Sequence, residues 1–162
     1  MATVAEKWVK VLDDVGVRYV FGIPSGPWVE YMEALRNSNV QFVLVSNETS
    51  GAFMADVCGR LTGIPGACYG TFGPGALNLA SGVGGALLDR SPLLAFTHEM
   101  PEAMLGRTTQ MGIDHQAIYR PITKWTTRLE ADHVEKTLLR AAHVATSEAP
   151  GPVHIGLPSD IG

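Results

Sequence analysis

Apolar positions along the chain fall into short blocks that alternate between helical and strand spacing. Trp8, Val11, Leu12 and Val15 recur at helical intervals after Thr3-Val4-Ala5-Glu6, which has the form of a capping box. A helix to about Val15, ended by Gly16, is therefore predicted. A strand follows over 17–23, then the tight turn Pro24-Ser25-Gly26-Pro27, and a helix to about Asn37 with Pro27 in its first turn. The run 40–46 reads as a buried strand and 52–63 as a helix. A third strand over 66–71 leads through Gly73-Pro74-Gly75 into a helix over 76–89, and 92–97 is a fourth strand.

The stretch 98–119 has only weak periodicity. Beyond it a strand is expected over 122–129 and a helix from a cap at Asp132 to about Glu148. Val134, Leu138, Leu139, Ala142 and Val144 form the apolar face of that helix. A short strand over 152–157 is closed by Pro158. Strands and helices alternate, and the strands are apolar on both faces. The fold class expected is α/β: a three-layer sandwich with a roughly six-stranded parallel sheet covered by helices on both faces. There is no internal repeat, low-complexity segment or linker, so residues 1–162 are expected to form one domain.

Composition narrows the function classes. The net charge is −4 with no basic tract, which argues against nucleic-acid binding. Charged residues are 17% and hydrophobic residues 46% of the chain, so part of the surface is expected to be covered by another domain or subunit. Cys58 and Cys68 read as buried small apolar residues of a reducing compartment. No signal peptide is evident and no apolar run is long enough to span a bilayer, so a cytoplasmic location without membrane contact is expected.

The residue with the most chemical content is Glu48, between an apolar strand and a helix. Open α/β sheets build their sites at such carboxyl ends, and a dry carboxyl there can hold or share a proton near neutral pH. It is equally an acid in a first helical turn, which the helix dipole favours in any case. Three strand ends carry glycine- or proline-rich turns or this acid: Gly22-Ile23-Pro24-Ser25-Gly26, Ser46-Asn47-Glu48 and Gly70-Thr71-Phe72-Gly73-Pro74-Gly75. They either admit a flat ligand close to the backbone or are ordinary short connections. Neither a dinucleotide fingerprint nor a P-loop is present, although the helix start at Gly75 could receive an anion. His98, His115, His133, His143 and His154 show no metal-ligand spacing. The predicted helix over 76–89 carries Gly82, Gly84 and Gly85, each costing about 1 kcal/mol relative to alanine. Close packing against another backbone, in this chain or a second one, would compensate.

Taken in order, the motifs resemble the pyrimidine-binding (PYR) domain of thiamine-diphosphate enzymes, in the acetolactate synthase branch. They are Gly22-Ile23-Pro24-Ser25-Gly26, Glu48, Gly59-Arg60-Leu61-Thr62-Gly63-Ile64-Pro65-Gly66 and Gly73-Pro74-Gly75-Ala76-Leu77-Asn78. Asp89-Arg90-Ser91-Pro92, Arg120-Pro121-Ile122-Thr123-Lys124-Trp125 and the segment from Ala149-Pro150-Gly151 to Ser159-Asp160-Ile161 continue the match over nearly the whole chain.

The resemblance implies a cofactor, thiamine diphosphate, and a 2-keto acid substrate. In that family the matching glutamate hydrogen-bonds N1′ of the aminopyrimidine and favours the imino tautomer that removes the thiazolium C2 proton. Glu48 takes that position as the catalytic residue. Pro24, Ser25 and Gly26 match the loop beside the reacting centre. Thr71, Gly73, Pro74, Gly75 and Asn78 match the turn lining the pyrimidine. Gln110 matches a substrate-facing glutamine after a one-residue adjustment.

Ser25, Pro27-Trp28 and His98-Glu99 depart from the synthase pattern and bear on the substrate. The family holds the diphosphate through Mg²⁺ with a PP domain containing Gly-Asp-Gly, which does not occur here. The sequence ends at Ile161-Gly162, where the family's chain enters a middle domain, the domain that carries FAD in some members. The expectation is half an active site, inactive alone, completed by a PP domain and present as a homodimer. It would be a piece of an acetolactate-synthase-like enzyme of branched-chain amino acid biosynthesis. The alternatives are a separate α subunit of a sulfopyruvate-type decarboxylase, or a non-catalytic interaction module of the same fold.

Overall fold

A computed structural model describes residues 2–105, 107 and 111–161. Among them, six parallel strands form one sheet in the order β2-β1-β3-β4-β6-β5. The strands are β1 (Tyr19–Gly22), β2 (Gln41–Leu44), β3 (Gly66–Gly70), β4 (Leu93–Glu99), β5 (Trp125–Arg128) and β6 (Pro152–Pro158). The helices are α1 (Val4–Asp14), α2 (Val29–Arg36), α3 (Glu48–Thr62), α4 (Pro74–Leu88), α5 (His115–Tyr119) and α6 (Val134–Thr146).

Right-handed crossovers assign each helix to a face. Steps toward the β2 edge carry α2 and α6, which join α1 on one face; steps toward the β5 edge carry α3, α4 and α5 on the other. The direction of travel reverses between β1 and β3, so the loops leaving these strands part to opposite faces and open a crevice.

The two faces are packed differently. The α1/α2/α6 face is filled by bulk: Trp8 meets Trp28, Tyr31 and Phe96 edge-on, with ring centroids 5.3, 5.4 and 5.0 Å apart. The α3/α4 face is filled by small residues, among them Ala52, Ala55, Cys68, Ala76 and Ala86. A Cβ on Gly82 would stand 2.5 Å from Cβ of Ala52, and one on Gly85 would stand 2.9 Å from Phe53. The close neighbour compensating Gly82 and Gly85 is therefore α3 of the same chain. Gly84 differs, since its Cβ would find only Ile122, at 3.9 Å.

The central strands β3, β4 and β6 are buried along their whole length, as parallel strands covered on both faces must be. The expected buried strand at 40–46 is shorter and lies at the sheet edge, so Leu44 is exposed. The Thr3/Glu6 capping box is present in both directions. Asp132 does not cap α6: it lies inside a 3-10 turn, Ala131–His133, whose backbone leads the chain into the helix. Residues 120–122 likewise form a 3-10 turn, so β5 starts only at Trp125.

Candidate functional site

Glu48 is the first residue of α3, and Asn47 caps the helix by accepting the Thr49 amide at 2.8 Å. The expected helix at 52–63 thus starts at Glu48, which makes it both a first-turn acid and a strand-end acid. Its side chain is buried, 7% exposed. Asn78 Nδ2, from α4, donates to Glu48 Oε2 at 3.1 Å. Thr49 Oγ1 donates to the Asn78 carbonyl at 2.7 Å, tying the two helix starts together. Oε1 of Glu48 takes no hydrogen bond from the described residues and faces Gly75. A Cβ at position 75 would stand 3.2 Å from that oxygen and 2.9 Å from Cγ2 of Thr71. The bare backbone there leaves room for a flat group to reach the carboxylate. Gly73 precedes it with φ +52°, a conformation that side chains rarely adopt.

Glu48, Thr71, Gly75 and Asn78 are thus brought together, with buried Gly73 and exposed Pro74 completing the turn. Ser25 joins a different group. Its Oγ and Tyr69 Oη are 2.7 Å apart, and Tyr69 Oη is 2.7 Å from Nδ1 of His98. Trp28 stacks on Tyr69 at 3.7 Å between centroids. Burial pushes the Tyr69 phenol up to about 12 and the His98 imidazole down to about 4, so both are neutral at pH 7. A cleft of about 370 Å³ opens beside them, bordered by Gly26, Pro27, Tyr31, His98, Ser159 and Asp160. Pro24 and Gly26 are exposed on the same loop. Gln110 lies outside the described residues.

Glu99, His115 and His154 come together as well, with ligand-capable atoms within 4.8 Å of one another. Neither this group nor the Tyr69–His98 pair was visible in residue spacing. The one signal for either was His98-Glu99 at the end of β4, where the chain departs from the synthase pattern.

An open parallel sheet with an acid, an amide and a glycine turn at its switch point defines a ligand-binding α/β domain. Residues 2–118 match the model of the family described as thiamine pyrophosphate enzyme, N-terminal TPP binding domain, and the chain belongs to that family. It is 36% identical over 158 residues to a probable acetolactate synthase large subunit of Methanocaldococcus jannaschii, covering 97% of this chain and 27% of the relative. It is 38% identical over 159 residues to the chloroplastic acetolactate synthase of Arabidopsis thaliana, covering 97% and 24%. It is 36% identical over 166 residues to a probable 2-ketoarginine decarboxylase of Pseudomonas aeruginosa, covering 98% and 29%. The chain thus spans about a quarter of the length of these relatives.

Proposed function

We propose that residues 1–162 form one pyrimidine-binding unit of a thiamine-diphosphate enzyme that acts on 2-keto acids as an acetolactate-synthase-like carboligase. The observation that carries this reading is the Glu48 carboxylate: buried, held at Oε2 by Asn78, and open at Oε1 over a glycine. That cradle fits the edge of an aminopyrimidine. When bound, thiamine diphosphate supplies an acidic carbon and an electron sink for the carbanion left by decarboxylation. Glu48 would meet a ring nitrogen of the bound cofactor through its open Oε1. Asn78 fixes the carboxylate plane, and Thr71, Gly73, Pro74 and Gly75 shape the wall against which the ring lies. Pro24, Ser25 and Gly26 border the reacting side.

Glu48→Gln in the intact protein should lower cofactor C2-proton exchange and turnover by about two orders of magnitude or more, within the range for general acid–base catalysis. Circular dichroism should be unchanged. Near-normal turnover would sink the assignment.

A decarboxylase, as a separate subunit or not, is favoured by one group of residues. Ser25 and His98, two positions that depart from the synthase pattern, are joined through Tyr69 in a neutral hydroxyl–imidazole relay, and one relative is named a decarboxylase. Product analysis with pyruvate separates the readings: both release CO₂, but the carboligase leaves acetolactate from two pyruvates and the decarboxylase leaves acetaldehyde from one.

The carboxylates and Mg²⁺ that hold the diphosphate, and FAD if the whole enzyme uses it, belong to further domains, a PP domain first among them. A cytoplasmic location fits the two free cysteines. The outer faces of α3 and α4 expose Phe53, Met54, Val57, Leu61, Leu77 and Leu88, with Leu88 84% exposed. This apolar face supports a homodimer, in which a second copy covers it. Light scattering should give twice the monomer mass, and Leu61→Glu with Leu88→Glu should halve it. A unaltered protein that stays monomeric at high concentration contradicts the dimer.

A further inference from the structure

Beneath the Gly73-Pro74-Gly75 turn runs a continuous chain of hydrogen bonds, buried from Gly73 to His154 and half-buried beyond it. The Gly73 amide donates to Nε2 of His115 at 3.3 Å. Nδ1 of His115 is 2.8 Å from Thr97 Oγ1, which is 2.8 Å from Nε2 of His154. Nδ1 of His154 is 2.7 Å from Thr126 Oγ1, which donates to Gln116 Oε1 at 2.8 Å. Gln116 Nε2 donates to Glu99 Oε1 at 2.6 Å, and Arg128 Nη1 donates to Glu99 Oε2 at 2.5 Å.

The polarity of this chain follows from its first link. A backbone amide can only donate, so Nε2 of His115 has no proton and the neutral ring carries its proton on Nδ1. Thr97 must then accept from His115, which leaves its own single proton for Nε2 of His154. His154 is in turn protonated on Nδ1 and donates to Thr126, which is left to donate to Gln116. The amide of Gln116 closes the sequence on a carboxylate that only accepts. Each hydroxyl accepts one bond and donates one, and no link meets a like group. A second proton on either ring would set donor against donor. Burial agrees with neutral rings, since it lowers His115 to about 4 and His154 well below its ordinary value.

The turn needs such support. Gly73 stands at φ +52° and ψ −106° and caps α4 without any side chain to hold the helix start. Conformations of this kind persist only where the surroundings impose them. The imposing element is α5: His115 takes the Gly73 amide, and Tyr119 Oη donates to the Ala76 carbonyl at 2.7 Å. Tyr119 also stacks on His154 at 3.9 Å between centroids, which joins both contacts into one unit.

We propose that His115 is a positioning residue for the pyrimidine-facing turn: as the acceptor at the head of a one-directional hydrogen-bond chain, it holds Gly73 so that Gly75 lies open before Glu48. This assignment rests on the function proposed above. The buried Glu99–His115–His154 group is accordingly a hydrogen-bonded chain whose nitrogen and oxygen atoms already have partners, rather than a vacant metal site.

The experiment has two readouts on the intact protein. Imidazole ¹⁵N spectra at neutral pH should show His115 and His154 neutral and protonated on Nδ1. An Nε2–H tautomer or a charged ring at either position would overturn the chain, whatever the protein binds. Calorimetric titration with thiamine diphosphate and Mg²⁺ forms the second readout. His115→Phe, which keeps a ring but cannot accept, should weaken binding by about tenfold or more, about 1.4 kcal/mol per decade. His115→Gln offers an oxygen to Gly73 and an amide to Thr97, and should restore most of the affinity. Equal loss in both variants, or no loss in the first, overturns the positioning role. Absence of binding by the unaltered protein would count against the proposed function, while the spectra would still decide on the chain.

Discussion

A methyl group at position 75 would sit 3.2 Å from the open oxygen of Glu48 and 2.9 Å from Thr71. Glu48 is held by Asn78, and Thr71 has a stiff β-branched side chain, so neither yields cheaply. Gly75→Ala should therefore weaken thiamine diphosphate binding by about tenfold or more, equivalent to about 1.4 kcal/mol, and also cost about 1–3 kcal/mol of stability by overpacking. Titration calorimetry beside a melting curve separates the two effects, and unchanged affinity would show that the ring does not lie against this glycine. The place of Glu48 at a strand end was legible in the sequence because it follows an apolar run, but that place suits a first-turn acid equally, and only the family resemblance pointed to a catalytic role. Tyr69, His98, Thr97 and His154 had no such positional cue. They meet in two pairs because parallel register sets Tyr69 beside Phe96, two residues before His98, and Ala95, two residues before Thr97, beside His154, which itself lies beside Thr126. A single sequence does not state which strands are neighbours, and gaps of 29 and 57 residues between bonded partners follow no local period.

At the scale of elements, the three glycines of α4 looked alike in sequence and differ in what surrounds them. Alanine at 82 would collide with Ala52 at 2.5 Å and with the Phe53 amide nitrogen at 3.0 Å. The overpacking, about 1–3 kcal/mol, exceeds the gain of about 1 kcal/mol in helix propensity, so Gly82→Ala should destabilise. Gly84→Ala meets nothing closer than 3.9 Å and should stabilise by about 0.5–1 kcal/mol. Urea denaturation of the pair checks the sign, and equal shifts would refute the close α3–α4 approach. A helix at 52–63 and strands at 66–71 and 92–97 were readable from apolar blocks and turn residues, although the helix begins at Glu48 and β4 runs on to Glu99. The five residues of α5 were not, because little more than one helical turn is too short to show a 3.6-residue period. The motif residues Arg60 and Asp89 have a structural role: Arg60 bonds Asp89 at 3.1 Å and lies 3.7 Å from buried Asp56, joining the ends of α3 and α4.

For the molecule as a whole, the buried imidazoles predict acid sensitivity. His98 and His115 are lowered to about 4 by burial, and His154 falls well below its ordinary value for the same reason. Below about pH 6.5 the unfolded chain takes up protons on these residues while the folded chain does not. The unfolded state then binds more protons, so stability falls with pH from about 6.5 toward 4. Glu99, raised chiefly by burial against the opposing pull of Gln116 and Arg128, contributes in the opposite sense near the bottom of that range. Unfolding free energies from urea denaturation at pH 7 and pH 5 should differ by about 2 kcal/mol for each of His98 and His115, an order-of-magnitude figure from the linkage relation, with His154 acting in the same direction. A flat profile would mean that these imidazoles take up protons in the folded state as readily as in the unfolded one.

The one-way hydrogen-bond chain under the Gly73 turn also constrains how this sequence can drift. Thr97→Ser keeps a hydroxyl with one proton to pass on, whereas Thr97→Val breaks the line and strands both histidines. Exchanging Gln116 for glutamate would put two acids face to face. Substitutions at 97, 115, 116, 126 and 154 should therefore be inherited as a set: relatives either keep a compatible spelling at all five positions or abandon the polar spine together in favour of an apolar one.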